Sequence, residues 1–294
     1  MIDPSLRRRM KELEIRSLRL VNGRFMGEWA SNMRGQGLEF RDLREYVPGD
    51  DVRRLDWKAT ARSGRPQLRQ FIEDRQQSIW FALDLSASMD GRKAELARQI
   101  LAVLGWAAVK QNDRFALMGF TDRIEIHQPP SRGEARLWAA VDAVLEHKRE
   151  SKQTAFAPVW EFFLKRLTGR ATIILLSDFS AGLDTRMLRA LAARHEVLAF
   201  QLIDPREDGR PDGGRQTTGG LASFEDSETG ERVWADLSPA GAAAKLYGAN
   251  EAARQAVRKD LRKAGVWYSS FAVDKDFLPP LMEFFHRRME VLGA

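Results

Sequence analysis

Asp84, Ser86 and Ser88 stand at alternate positions directly after a short apolar run, Ile79-Trp80-Phe81-Ala82-Leu83. Three oxygen donors at that spacing suit a hard divalent cation such as Mg²⁺, which takes oxygen ligands and keeps several waters; Mn²⁺ and Ca²⁺ are the alternatives. Serine hydroxyls are neutral, so a cation held mainly by them retains most of its charge and attracts an anion from outside. Asp84 and a second aspartate can act through bound water, orienting the shell without neutralising it. The expected chemistry is therefore recruitment of a partner's carboxylate rather than bond-making.

The run ahead of Asp84 is continuously apolar and a long helical pattern follows it, which predicts a buried parallel strand. Open α/β sheets bind ligands beyond the carboxyl ends of their strands, and Asp84, Ser86 and Ser88 fall at that end. The helix expected next, Lys93–Lys110, is apolar on nearly all sides and so belongs between layers. Further strands are expected at Phe115–Phe120, Ala171–Ser177, Glu196–Ile203 and Val266–Val273, with Ile124–Ile126 as a hairpin return or edge segment. Helices are expected at Glu134–His147, Ala155–Leu167, Thr185–Arg194, Ala240–Ala264 (broken near Gly248, stopped by Gly265) and Leu281–Met289. Such alternation predicts an α/β fold: a doubly wound, mostly parallel sheet with helices on both faces. The Gly-, Asp- and Arg-rich stretch from 204 to 221 reads as a loop. Ala222–Glu225 and Arg232–Asp236 read as an inserted β-hairpin.

The 294 residues, 44% of them hydrophobic, suffice for a large core, and the absence of cysteine excludes disulfides and thiolate chemistry. Net charge is +6; residues 1–75 carry 17 Lys+Arg against 12 Asp+Glu, while the remainder is nearly balanced. A basic front end can meet nucleic acid, an anionic lipid surface or an acidic protein, but its interleaved acids suit a solvated, internally paired surface better. Residues 5–20 fit an amphipathic helix capped by Ser5, with Leu6, Met10, Leu13 and Leu20 near one face. No stretch has the length of a signal-peptide core or a membrane span, so a cytoplasmic location is expected. The expected organisation is an N-terminal helix over 1–22, a charged mixed helix/strand module over 23–76, and an α/β domain over 77–294 with its insert at about 204–238.

Within the charged module, turn signals recur at Gly35-Gln36-Gly37, Pro48-Gly49-Asp50 and Ser63-Gly64-Arg65-Pro66. Asp42, Asp50, Asp51 and Asp56 alternate with Arg41, Arg44, Arg53 and Arg54 around Phe40, Tyr46 and Trp57. That density predicts a network of charge-assisted hydrogen bonds fixing irregular backbone, with short strands such as Gln67–Asp74 running into the sheet.

Asp84-x-Ser86-x-Ser88, then Thr154, then Asp178 resembles the metal-ion-dependent adhesion site of von Willebrand factor A domains. By that resemblance Ser86, Ser88 and sometimes Thr154 touch the metal directly, and Asp84 and Asp178 hold it through water. Each residue has an ordinary structural role open to it. Ser88 or Asp90 can cap the next helix, Thr154 can cap the helix at Ala155, and Asp178 can close a turn. Lys152-Gln153 before Thr154, and Phe179 after Asp178, stand where glycine is common in such sites. The stretch Gly35-x-Gly37-x-Glu39-Phe40-Arg41, Arg44-Glu45-Tyr46-x-Pro48-Gly49-Asp50-Asp51-Val52-Arg53-Arg54-x-Asp56-Trp57, then Thr60-Ala61-Arg62, closely resembles the bacterial family called domain of unknown function fifty-eight. The resemblance implies a von Willebrand factor A-like fold and an adaptor role beside MoxR-type AAA+ ATPases in assembling or remodelling a partner complex.

Enzymatic readings lack their parts. A haloacid-dehalogenase-type phosphatase needs an aspartate where Ser86 stands, and Gly213-Gly214-Arg215-Gln216-Thr217-Thr218 lacks the lysine and spacing of a phosphate loop. His127, His147, His195 and His286 lie in contexts unsuited to activating Ser86 or Ser88 in a hydrolase or phosphotransferase. Paired-histidine fingers and aromatic platforms for nucleic acid are missing too.

Overall fold

The computed structural model describes residues 40–47, 55–71, 78–208, 221–225, 232–236 and 242–292. The helix expected over 5–20 and the acids and arginines at 50–54 lie outside them. Strand β1 (Phe40–Glu45) pairs antiparallel with β2 (Gln67–Phe71) in a sheet of their own, so β2 does not join the central sheet as expected. Between them, helix α1 (Trp57–Ser63) starts on Asp56, whose Oδ1 accepts the N–H groups of Lys58 and Ala59, and stops at Gly64 in a left-handed turn. No residue of α1 is buried, and Trp57 is 71% exposed.

The central sheet has six strands in the order β10-β7-β6-β3-β4-β5. They are β3 (Ser78–Asp84), β4 (Arg114–Phe120), β5 (Ile124–Ser131), β6 (Thr172–Ser177), β7 (Glu196–Ile203) and β10 (Trp267–Ala272). All neighbours run parallel except β5, an antiparallel edge strand that extends through Pro129 and Pro130. Proline is tolerated there because an edge strand has one row of N–H groups that needs no partner.

Helices cover both faces. Ile79, Phe81 and Leu83 of β3 belong to one core with residues of α2 (Arg92–Lys110), α3 (Glu134–Glu146) and α7 (Leu278–Leu292). Trp80 and Ala82 face α4 (Ala157–Arg166), α5 (Thr185–Arg194) and α6 (Ala242–Lys263) on the other side. Six of the seven β3 residues are buried, which explains its unbroken apolar sequence; each large side chain so buried contributes about 1.5–3 kcal/mol. Helix α6 runs unbroken through Gly248, and Gly265, in a left-handed turn, follows its end. Strands β8 (Leu221–Glu225) and β9 (Arg232–Asp236) pair antiparallel as a separate sheet. No helix among the described residues is long and apolar enough to cross a membrane.

The chain leaves β3 toward β4 in one direction, then returns to β6, β7 and β10 on β3's other side. The order reverses at β3, so the crevice beyond the carboxyl ends of β3 and β6 is the topological switch point, where such sheets bind ligands.

Candidate metal centre

The register of β3 against β6, with Leu83 opposite Leu176, delivers Asp84 and Asp178 to the same rim. Asp84 is 2% exposed. Its Oδ1 accepts the Ser86 N–H at 2.9 Å, and its Oδ2 accepts the Ser177 hydroxyl at 2.6 Å. Ser177 Oγ in turn accepts the Phe179 N–H at 2.9 Å, tying the two strand tips together. Burial pushes the Asp84 carboxyl up to about 6, with the charge of Asp178 adding to it, although the Ser177 and Ser86 hydrogen bonds pull it back.

The Ser86 and Ser88 hydroxyl oxygens lie 3.0 Å apart. Adjacent oxygens of an octahedral shell with bonds of about 2.1 Å are separated by about 3 Å, so this pair fits one edge of a Mg²⁺ octahedron. In the metal-free chain the same spacing is an O–H···O hydrogen bond. Packing holds the loop: a side chain on Gly119 would begin 2.5 Å from Leu85 Cδ1 and 3.1 Å from Ile126 Cβ, so glycine there lets the Leu85 side chain lie against β4.

Thr154 is half-buried between two anchors. The Ala87 N–H donates to Lys152 O at 3.0 Å, and the Ala155 N–H donates to Thr121 O at 3.1 Å. The segment is braced further back by Glu125, whose carboxylate accepts from Thr121, His147 and the N–H groups of Glu150 and Ser151. Helix α4 begins at Ala157 with no side-chain cap, so Thr154 does not serve as its N-cap. Nor does Ser88 or Asp90 cap α2, whose N-cap is Gly91; Asp90 instead pairs with Arg149. Asp178 does close a turn, its Oδ1 accepting the Ser180 N–H at 3.0 Å.

Residues that the sequence did not single out complete the site. Lys93 Nζ donates to Asp178 Oδ2 at 2.8 Å and lies 2.6 Å from Glu207 Oε1. Burial alone would raise the Asp178 carboxyl, but the Lys93 charge and hydrogen bond hold it below the usual range. Gln201 Nε2 donates to the Asp178 carbonyl at 2.8 Å, and its Oε1 accepts from Tyr268 at 2.7 Å. Among the described residues no three His, Cys, Asp or Glu side chains gather as a metal cage. A cation here would rest on Ser86 and Ser88, with Asp84 and Asp178 placed at the same rim to hold waters, and the 3.0 Å hydroxyl pair is the part of the set whose spacing matches such a shell.

Phe179 adopts φ 56, the left-handed region where glycine would be at ease. Its ring repays that strain by being buried and stacking on Phe156 at 5.6 Å. Replacing it trades a backbone relief of about 1–2 kcal/mol for a cavity costing about 3–5 kcal/mol. Phe179→Gly is thus expected to lower stability by about 2 kcal/mol in urea unfolding, and a gain in stability would contradict the balance.

The described fold is a mixed α/β, Rossmann-like one with its candidate site at the switch point. The sequence model of the family described as "Protein of unknown function DUF58" matches residues 42–259, and the chain belongs to that family. It is 29% identical over 290 residues to the uncharacterized protein Rv1480 of Mycobacterium tuberculosis, covering 96% of this chain and 89% of that one. The same figures hold for the uncharacterized protein Mb1516 of Mycobacterium bovis. Among solved structures it is similar to the conserved hypothetical protein BatB of Bacteroides thetaiotaomicron, at 14% identity and TM-score 0.43, covering 73% of this chain and 99% of that one.

Proposed function

We propose that this chain is a von Willebrand factor A-like, divalent-cation-dependent protein-binding adaptor rather than an enzyme. Mg²⁺ held by Ser86 and Ser88, with Thr154 as a third hydroxyl, would supply a Lewis-acidic vacancy for a carboxylate of a partner protein. The single observation that carries this reading is the hydroxyl pair 3.0 Å apart beside the buried Asp84, at the sheet's switch point. Asp84 orients the loop through the Ser86 N–H, and Ser177 couples it to the tip of β6. The partner suggested by the family resemblance is a MoxR-type AAA+ ATPase acting on a third complex.

A hydrolase or phosphotransferase is less well supported. Among the described residues no histidine hydrogen-bonds Ser86 or Ser88. His147 is committed to Glu125, and His127 stacks on Trp80 and meets Phe162 edge-on. A serine nucleophile needs a base in hydrogen-bonding reach. Nucleic-acid binding would rest on the basic front end, most of which lies outside the described residues.

The test is affinity capture with the purified chain in Mg²⁺ and in chelator, comparing wild type with Asp84→Ala and probing a purified MoxR-type ATPase directly. Capture that needs both Mg²⁺ and Asp84 is the expected result. Equal capture in chelator would remove the reading.

A further inference from the structure

Lys93 lies in the first turn of α2, on the helix stripe that continues through Leu96, Ala97, Ile100 and Leu101 into the core. Its side chain is only 4% exposed, where an ammonium is tolerated only if paired. Two carboxylates from different elements supply the pairing. Asp178 follows β6, and Glu207 sits in the 3-10 turn Pro205–Asp208 after β7. The ammonium therefore sits at the rim of the cation site, on the oxygen of Asp178 left over by the turn to Ser180.

We propose that Lys93 is a built-in counter-cation that competes with the divalent metal for Asp178, keeping the site weakly filled until a partner's carboxylate completes the shell. This rests on the reading of the hydroxyl loop as a cation site. Two positive charges sharing one carboxylate repel, and the repulsion is felt more where both the ammonium and Asp178 are largely withdrawn from solvent. The proposal also gives Glu207 a role. Its side chain is 55% exposed, so it can follow the ammonium and hold it when Asp178 turns to a metal-bound water. Lysine suits this better than arginine, being a compact charge on a flexible stem with three donors that can be re-aimed between two acceptors. By linkage, a metal that binds poorly alone and well with a partner makes the partner bind poorly without metal to the same degree.

The experiment is Mn²⁺ titration of the full chain, following free Mn²⁺ by electron paramagnetic resonance, with thermal unfolding in parallel. Lys93→Met is expected to bind Mn²⁺ at least about tenfold more tightly than wild type, about 1.4 kcal/mol, and to gain more in melting temperature on adding Mn²⁺. Arg92→Met removes the same charge one residue away, from a group whose acid is Asp204 rather than Asp178. It is expected to change affinity less than about twofold. Lys93→Gln, which keeps hydrogen-bond donors for both carboxylates, gives the same comparison should the methionine variant not fold.

Equal or weaker Mn²⁺ binding in the folded Lys93 variants overturns the proposal, as does equal tightening by Arg92→Met. The two failures can be told apart by Ser86→Ala/Ser88→Ala. If wild type binds Mn²⁺ and the double variant does not, the cation reading stands and only the role of Lys93 falls. If Mn²⁺ binds none of the chains, or ignores the hydroxyl deletions, both fall together.

Discussion

Asp84→Asn is expected to make the metal-free chain more stable at pH 8 while abolishing Mn²⁺ binding. Burial first, then the nearby charge of Asp178, raises the folded-state Asp84 carboxyl to about 6, against the opposing hydrogen bonds from Ser177 and Ser86. The unfolded chain ionises it near 3.9. Because the folded value is the higher one, the folded chain holds its proton more tightly, and stability falls as pH rises from about 4 through about 6. Below about pH 4 the group is protonated in both states and contributes no penalty. Above about pH 7 the full cost of a buried charge is present, about 3 kcal/mol for a carboxyl raised from near 3.9 to about 6. Asparagine keeps the acceptor for the Ser86 N–H and brings no charge, so the variant lacks this slope. For a chain of this size the gain corresponds to a rise of several degrees in melting temperature. Urea or thermal unfolding in chelator at pH 4.5 and pH 8 checks it. A variant less stable than wild type at pH 8 would show that Asp84 is held charged at no cost. The expected pattern, stability gained and binding lost, is that of a residue retained for function at the fold's expense.

How much of this was legible in the sequence follows from where periodicity reaches. The apolar runs ending at Asp84 and Ser177 announced strands buried on both faces, and the alternation of strands and helices announced the parallel sheet. The tips of β3 and β6 then had to share a rim. Helix α1 was invisible because a seven-residue helix with no buried face leaves no 3.6-residue period; Asp56 before it and Gly64 after it were its only signals. β5 looked short because Pro129 and Pro130 read as a stop, whereas an edge strand accommodates them. Thr154 looked like a helix cap because threonine before an apolar helix usually is one, yet α4 starts later, behind Phe156. Lys93 left a readable trace: it occupies the buried stripe of α2, three residues before Leu96 and seven before Ile100. A charged residue there demands a buried partner, but nothing local says that Asp178 and Glu207, both far along the chain, provide it. Glu125 and Ser177 were hidden for the same reason, since their partners meet them only once the loops fold back.

Glu125→Ala is expected to produce the largest loss of stability, about 3–4 kcal/mol, and with it a roughly tenfold weaker hold on Mn²⁺. The Glu125 side chain is fully inaccessible to solvent. Its Oε1 accepts from Thr121 Oγ1 at 2.5 Å and the Ser151 N–H at 3.1 Å; its Oε2 faces His147 Nε2 at 2.6 Å and accepts the Glu150 N–H at 3.0 Å. Hydrogen bonds to a charged acceptor are worth about 1.5–3 kcal/mol each, and water entering the cavity recovers part of their loss. Glu125→Gln is expected to recover only part of the loss, because whichever side its amide nitrogen takes it meets a backbone N–H, that of Glu150 or of Ser151, that cannot accept. The functional loss travels through the backbone. The same segment carries Lys152, whose carbonyl fixes Ala87 in the hydroxyl loop, and Thr154, two residues on. The carboxyl is held below its usual range: burial would raise it, but Thr121, His147 and the two backbone N–H groups outweigh burial. With the folded value the lower one, the stabilisation is complete above the unfolded value of about 4.3 and is lost as pH falls through the folded one. Asp84 acts over the adjoining window with the opposite slope, so one pH series separates them. Glu125→Ala makes the acid-side fall shallower, leaving the share that Asp178 contributes, and keeps the decline between about pH 4 and 6; Asp84→Asn flattens that decline and keeps the acid-side fall. If Glu125→Ala unfolds no more easily than wild type at pH 7, the bracket is not what fixes the hydroxyl loop.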